Sequence, residues 1–298
     1  MSFETTAVVF EQPRHLALNR VVLTPPGEGD CIVDIEWSGI STGTERLLWL
    51  GEMPDFPGMG YPLVPGYESV GRIASGGADL GFSPGDRVFV PGSAGFVDVR
   101  GLFGGAASRV VAKAERLVKI DDGMAEQGTL LALAATAHHA LAVGGKENLP
   151  ELVVGHGVLG RLVARLVVAM GGVRPTVWET DAERRAGHFD YPVIGPGEDD
   201  RRDYRSACDV SGSSVILDSL VPNMAKGARV VLAGFYHQPV SFMFAPAFMR
   251  ELTIQVAAEW LPRDLAQVMT LLERRALSLD HLITNSETPQ NAPATYRT

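Results

Sequence analysis

Up to about residue 120 the chain alternates short β-branched runs with tight breaks. "TTAVVF", "CIVDIEWSGI", "VGRIAS", "DRVFV" and "RLVKI" are separated by Gly- and Pro-rich stretches such as "TPPGEGD" and "FSPGDRV". Runs of this kind suit a pleated, half-buried surface, and the spacing predicts an irregular antiparallel sheet or barrel. From about residue 124 the period changes. "AEQGTLLALAATAHHAL" reads as an amphipathic helix. Strand-like "PELVVG" then precedes helical "VLGRLVARLVVAMG", strand-like "RPTVWET" precedes a short helix in "DAERRAGHF", and "ACDVSG", "SSVILDSLVPNMAKG" and "ARVVLAGFY" continue the alternation. This predicts an α/β domain with a parallel sheet, doubly wound and covered on both faces. The end, "HLITNSETPQNAPATYRT", is loop-like again. The expected division is a β-rich domain over residues 1–123, an α/β domain over 124–262 and a returning segment over 263–298.

Length and composition narrow the classes. A chain of 298 residues with 46% hydrophobic residues is globular, as one large domain or two ordinary ones. A net charge of −9 disfavours nucleic acid, which needs a basic surface. No apolar run is long enough for a membrane span, and "MSFETTAVVF" lacks the form of a signal peptide. The two cysteines, Cys31 and Cys208, are too few for a disulfide framework or a four-cysteine zinc site and read as buried thiols. A cytoplasmic protein is expected; peripheral association with a membrane stays open.

The sharpest motif is "VVGHGVLG". Gly155, Gly157 and Gly160 stand in G-x-G-x-x-G spacing between a strand and a helix, with His156, Val158 and Leu159 filling the turn. The first glycine allows the tight turn, the second the approach of a pyrophosphate, and the third close helix–strand packing. Glu179 ends the next strand, where an acid accepts hydrogen bonds from ribose hydroxyls and repels a ribose phosphate. The expected cofactor is NAD rather than NADP, with Arg184 and Arg185 read as solvated helix residues. The alternative is that the glycines are only turn residues and Glu179 a surface carboxylate.

The order of parts resembles the medium-chain dehydrogenase/reductase superfamily. The likeness covers nearly the whole chain and rests on "GISTGTE" (39–45), "VPGYESVGRI" (64–73), "SPGDRV" (83–88), "ATAHHAL" (135–141), the glycine motif, "KGARVVLAGF" (226–235) and "HLIT" (281–284). It implies a GroES-like catalytic domain beside a Rossmann domain. More narrowly, "GISTGTERLLWLGEMPDFPGMGYPLVPGYESVG" looks like the zinc-less branch in bacteriochlorophyll synthesis, the family of 3-hydroxyethyl bacteriochlorophyllide a dehydrogenases. That likeness implies a bacteriochlorophyllide-type substrate whose hydroxyethyl group becomes acetyl. Zinc members of the superfamily take a cysteine from the turn that here reads Gly39-Ile40-Ser41-Thr42-Gly43. They take a histidine at the position of Tyr67, and a third ligand at that of Ala132. Only Glu68 keeps a ligating group, and one carboxylate does not hold zinc. No metal is expected.

Without zinc, the alcohol proton needs hydrogen bonding and a general base. The candidates are the hydroxyls of Ser41, Thr42 and Thr44, the Tyr67 phenol, and the carboxylates Glu45 and Glu68. Tyr67 or Thr42 is expected to hydrogen-bond the substrate oxygen, while a neighbouring carboxylate drains the proton. The plainer readings are that Tyr67 fills the volume zinc would occupy, Glu68 pairs with an arginine such as Arg72, and Glu45 forms a surface pair with Arg46. Thr136 matches the superfamily threonine near the nicotinamide, and His156 is placed to meet the pyrophosphate. His138 and His139 are open to a role as magnesium ligand or proton shuttle, although one should face the core. The aromatic loop 49–63 would line a pocket for a flat substrate, and the apolar stretch 234–249 reads mainly as an interface of a homodimer. Two other functions remain: a zinc-free NADPH quinone or enone reductase, and a pigment-binding protein without catalysis.

Overall fold

The computed structural model describes residues 3–297, which divide into two compact units. The first holds the chain up to Ala132 together with the segment from Ile283; the second runs from Leu133 to Leu282.

In the first unit, β1 (Glu4–Gln12) and β2 (His15–Val22) pair antiparallel as a hairpin. A five-stranded antiparallel sheet follows, made of β3 (Asp30–Ser38), β4 (Ser69–Gly76), β5 (Arg87–Val90), β6 (Arg109–Lys113) and β7 (Val118–Lys119) in the order β6-β3-β4-β5-β7. The β-branched runs supply its inner face, where Val33, Ile73, Val88 and Val110 are sealed from solvent. Gly71 is obligatory where β3 and β4 approach, because a Cβ there would stand 2.2 Å from the Asp34 carbonyl oxygen. Between β3 and β4 lies a short helix, α1 (Thr44–Leu50), in a stretch the sequence reads as turn and loop. Its one-turn period puts Glu45, Leu48 and Trp49 on the same inward face. The helix ends at Gly51 in the left-handed region (φ 75°), which leaves no room for a Cβ against Pro13, 2.7 Å away.

The second unit is the alternating domain. Its strands β8 (Leu152–Val154), β9 (Thr176–Trp178), β10 (Val193–Ile194), β11 (Tyr204–Asp209), β12 (Met224–Leu232) and β13 (Thr253–Val256) form one parallel sheet in the order β10-β9-β8-β11-β12-β13. Strand order reverses beside β8, the doubly wound arrangement. The helices are α2 (Leu131–Gly144), α3 (Val158–Ala169), α4 (Ala182–Arg185), α5 (Ile216–Leu220), α6 (Phe244–Met249) and α7 (Pro262–Glu273). The helices expected in "DAERRAGHF" and "SSVILDSLVPNMAKG" shrink to four and five residues. The last helix, α8 (Ala292–Thr295), belongs to the first unit and falls in the stretch read as loop.

The return to the first unit comes at Ile283, twenty residues later than the expected 263. The reason is α7, whose Leu265 and Val268 are buried. Its Asp264, almost fully buried, accepts hydrogen bonds from the Nδ1 atoms of His138 (2.9 Å) and His139 (2.8 Å) and from the Leu261 amide (2.9 Å). Both histidines are therefore buried and partnered in α2 through Nδ1, where one of them was expected to face the core. Replacing Asp264 with alanine strands both rings, and should lower unfolding stability by about 2 kcal/mol in denaturant melts.

Candidate active site

The glycine turn is built as its spacing predicts. Gly155 lies at φ 101°, a conformation that side chains other than hydrogen rarely adopt. A Cβ on Gly160 would stand 1.9 Å from the Gly155 carbonyl oxygen, so helix and turn touch backbone to backbone. The space beside Gly157 is open, and α3 starts there with no side-chain cap. An uncapped helix start beside a bare glycine presents free N–H groups to an anion and fits a pyrophosphate. Val158 and Leu159 open the helix, and Thr136 lies half-buried in α2.

Glu179 and His156 brace the turn. The Glu179 carboxylate accepts from the backbone amides of His156 (2.9 Å), Thr180 (2.8 Å) and Asp181 (2.9 Å). It is buried, not a surface carboxylate. The His156 ring points inward: Nδ1 is 2.8 Å from the Arg184 carbonyl, Nε2 is 3.1 Å from the Tyr191 hydroxyl, and Phe189 packs edge-on at 4.5 Å. Only the backbone of His156 is left at the turn, and burial lowers the affinity of its ring for a proton.

The first unit gathers the other candidates. Ser41 and Thr44 lie near enough to the Tyr67 phenol to ease its ionisation, and the Tyr67 ring meets Phe103 edge-on at 5.0 Å. Burial raises the proton affinity of that phenol, and the neighbouring Glu68 charge adds to it. Glu68, beside Tyr67, is buried; so is Glu45. Gly39 must be glycine here, since a Cβ would stand 2.6 Å from Glu68 Oε2. The Tyr296 hydroxyl donates to Glu45 Oε2 at 2.7 Å, and its ring packs on Phe10 (5.0 Å) and Trp49 (6.1 Å). One oxygen of each carboxyl, Glu45 Oε1 and Glu68 Oε1, is buried without a hydrogen-bond partner.

Two plain readings of these acids are overturned. Glu45 is not a surface pair with Arg46: it is completely buried, while Arg46 is exposed. Glu68 does not hold Arg72, whose guanidinium pairs with Glu36 (2.9 Å) and Asp122 (3.0 Å). Thr42 is exposed and Ser41 buried. Among the described residues, no three His, Cys, Asp or Glu side chains gather as a metal would require.

Comparison with known proteins places this geometry. Residues 27–122 match the alcohol dehydrogenase GroES-like domain. The chain is 54% identical to the 2-desacetyl-2-hydroxyethyl bacteriochlorophyllide A dehydrogenase of Cereibacter sphaeroides, over 99% of this chain and 94% of that one. It is 52% identical to the protein of the same description from Rhodobacter capsulatus, with the same coverage. This chain belongs to that family. It is an alcohol-type dehydrogenase with a GroES-like and a Rossmann-like part. Among solved structures it is similar to a zinc-binding dehydrogenase of Sinorhizobium meliloti 1021 bound to NADP, at TM-score 0.81 and 19% identity over 99% of this chain and 96% of that one, a likeness of fold.

The dehydrogenase thus brings Ser41, Thr44, Tyr67, Glu68 and Glu45 together, and adds Tyr296, which no motif singles out. Its only sequence signal is an aromatic residue in the polar stretch "APATYRT". Burial pushes the Glu45 carboxyl up to about 8, against the pull of the Tyr296 bond. Burial and the Glu45 charge together push Glu68 up to about 8. The folded state therefore keeps protons that the unfolded chain releases above the ordinary value of 4.5. The stability these two groups give is complete below pH 4.5 and is lost as pH rises to about 8. The melting temperature should fall across that window by calorimetry, and Glu45→Gln or Glu68→Gln should make the fall shallower.

Proposed function

We propose that this dehydrogenase oxidises the hydroxyethyl side chain of a bacteriochlorophyllide to an acetyl group, with NAD as hydride acceptor and without zinc. The observation that carries the reading is the carboxyl pair Glu45–Glu68 beside the Tyr67 phenol, where zinc relatives carry ligands. The substrate class is supported by 54% identity over nearly the full chain. The donor set supports zinc independence: Ser41, Tyr67 and Ala132 stand at the three ligand positions, and none carries a thiolate, imidazole or carboxylate.

NAD, held at the Gly155–Gly160 turn, supplies the hydride acceptor. The Glu179 carboxylate, fixed by three backbone amides, keeps negative charge at the end of β9 and disfavours a ribose phosphate. The protein's own task is the proton. The Tyr67 phenol takes a hydrogen bond from the substrate oxygen, with Ser41 and Thr44 close by to ease its ionisation. The proton passes on to Glu68 as the carbonyl forms. The base form of a carboxyl held at about 8 grows as pH rises through that value, so oxidation quickens there. The exposed row Phe242, Met243, Phe244, Phe248 and Met249 supports an interface in a homodimer.

Anaerobic incubation with hydroxyethyl bacteriochlorophyllide tests the reading through the absorption shift of the acetyl product. Turnover is expected with NAD, much weaker with NADP, and unchanged by zinc chelators. Tyr67→Phe and Glu68→Gln should each lower kcat roughly 10²-fold or more. No spectral change with folded protein, or full loss of rate on chelation, would overturn it.

A further inference from the structure

The Tyr67–Glu68 end of the site accounts for the first acceptor of the alcohol proton, but not for the second buried carboxyl behind it. Glu45 lies on α1 with its side chain fully enclosed. The titratable groups facing it are Tyr67 and Glu68 from the loop before β4 and Tyr296 from the end of α8; no arginine, lysine or histidine neutralises either carboxyl among the described residues. Glu45 and Glu68 repel each other when both are charged, and each leaves one oxygen unpartnered. Two like charges in so dry a place cannot both ionise readily, so the pair retains a proton between its two members. An orphaned acceptor on each carboxyl is what such sharing requires: whichever member is protonated has a free oxygen to carry the proton.

We propose that Glu45 and Glu68 act as a one-proton carboxyl pair that receives the alcohol proton, and that Tyr296 is the positioning residue that holds Glu45 as its anionic member. This rests on the dehydrogenase reading above. In the oxidation, the substrate O–H bond breaks and its proton reaches the pair by way of Tyr67. The C–H bond breaks, its electrons leaving as hydride to the nicotinamide, and the carbonyl forms. The proton later returns to solvent, restoring the pair to one proton. The bond from the Tyr296 hydroxyl to Glu45 Oε2, 2.7 Å, favours the charged form of Glu45, so the resting proton sits on Glu68; as Glu68 takes the alcohol proton through Tyr67 it releases its own to Glu45. Tyr296 is itself set by ring packing against Phe10 and Trp49, which does not need its hydroxyl.

Tyr296→Phe keeps that packing and removes only the bond. Its kcat/KM profile should keep its shape while the ascending limb moves up by about one pH unit, with roughly tenfold lower activity at pH 7 and little change in KM. Glu45→Gln, which removes the anionic member, should flatten the limb. A role confined to packing or stability would lower the melting temperature and leave the limb where it is. Infrared titration of the protonated-carboxyl band, with no substrate or cofactor added, reads the pair directly. The band should persist through neutral pH in the wild type, persist to higher pH in Tyr296→Phe, and weaken in Glu45→Gln. If the infrared behaviour holds while bacteriochlorophyllide is not oxidised, the substrate assignment fails and the carboxyl pair stands. If neither the band nor the limb responds to Tyr296→Phe, the proposal is overturned.

Discussion

Two carboxyl groups buried within reach of one another's charge dominate the first unit. Charges so placed lose hydration and repel, and among the described residues no cation is at hand to offset either. Neighbouring features follow from accommodating them. Gly39 is bare because Glu68 occupies the space a side chain would need. The short helix α1 turns Glu45 inward on the same face as Leu48 and Trp49, so that hydrophobic packing holds an acid under cover. The ring of Tyr296, wedged against Phe10 and Trp49, delivers its hydroxyl to Glu45 Oε2 at 2.7 Å.

Three other buried acids of the chain are treated differently. Glu179 has three backbone amides, and Asp264 has two imidazoles and an amide. Asp209 is met by the Tyr236 hydroxyl and the Ser211 amide. Each of these carboxylates braces a turn, a helix end or a strand end, and its burial is compensated by donors. Glu45 and Glu68 alone among these five keep an unpartnered oxygen. Buried polar groups left unsatisfied are costly and concentrate where a protein exchanges protons or binds ligands.

The chain's patterning made the two grammars legible: β-branched runs between Gly/Pro breaks became an antiparallel sheet, and strand–helix alternation became a parallel one. Long, strongly periodic segments such as "VLGRLVARLVVAMG" formed as read. The errors fell on short or mixed segments. A seven-residue helix was hidden in "TERLLWL", where local propensity is ordinary and tertiary packing of its apolar face decides. The unit boundary slipped because α7 carries an amphipathic pattern that says nothing about which core it joins. Glu45 read as a surface charge because a Glu-Arg dipeptide usually is one; its burial depends on the direction of α1.

What the sequence by itself determined is local spacing: the glycine turn at Gly155, Gly157 and Gly160 with Glu179 beyond it. Those readings need only neighbours along the chain, or a register that short-range geometry sets. Only the tertiary structure decided which acids lose water and which donors reach them. The bond between Glu45 and Tyr296 joins residues 251 positions apart. No periodicity encodes such a contact, because burial depends on how distant segments pack, and proton affinity in turn depends on burial.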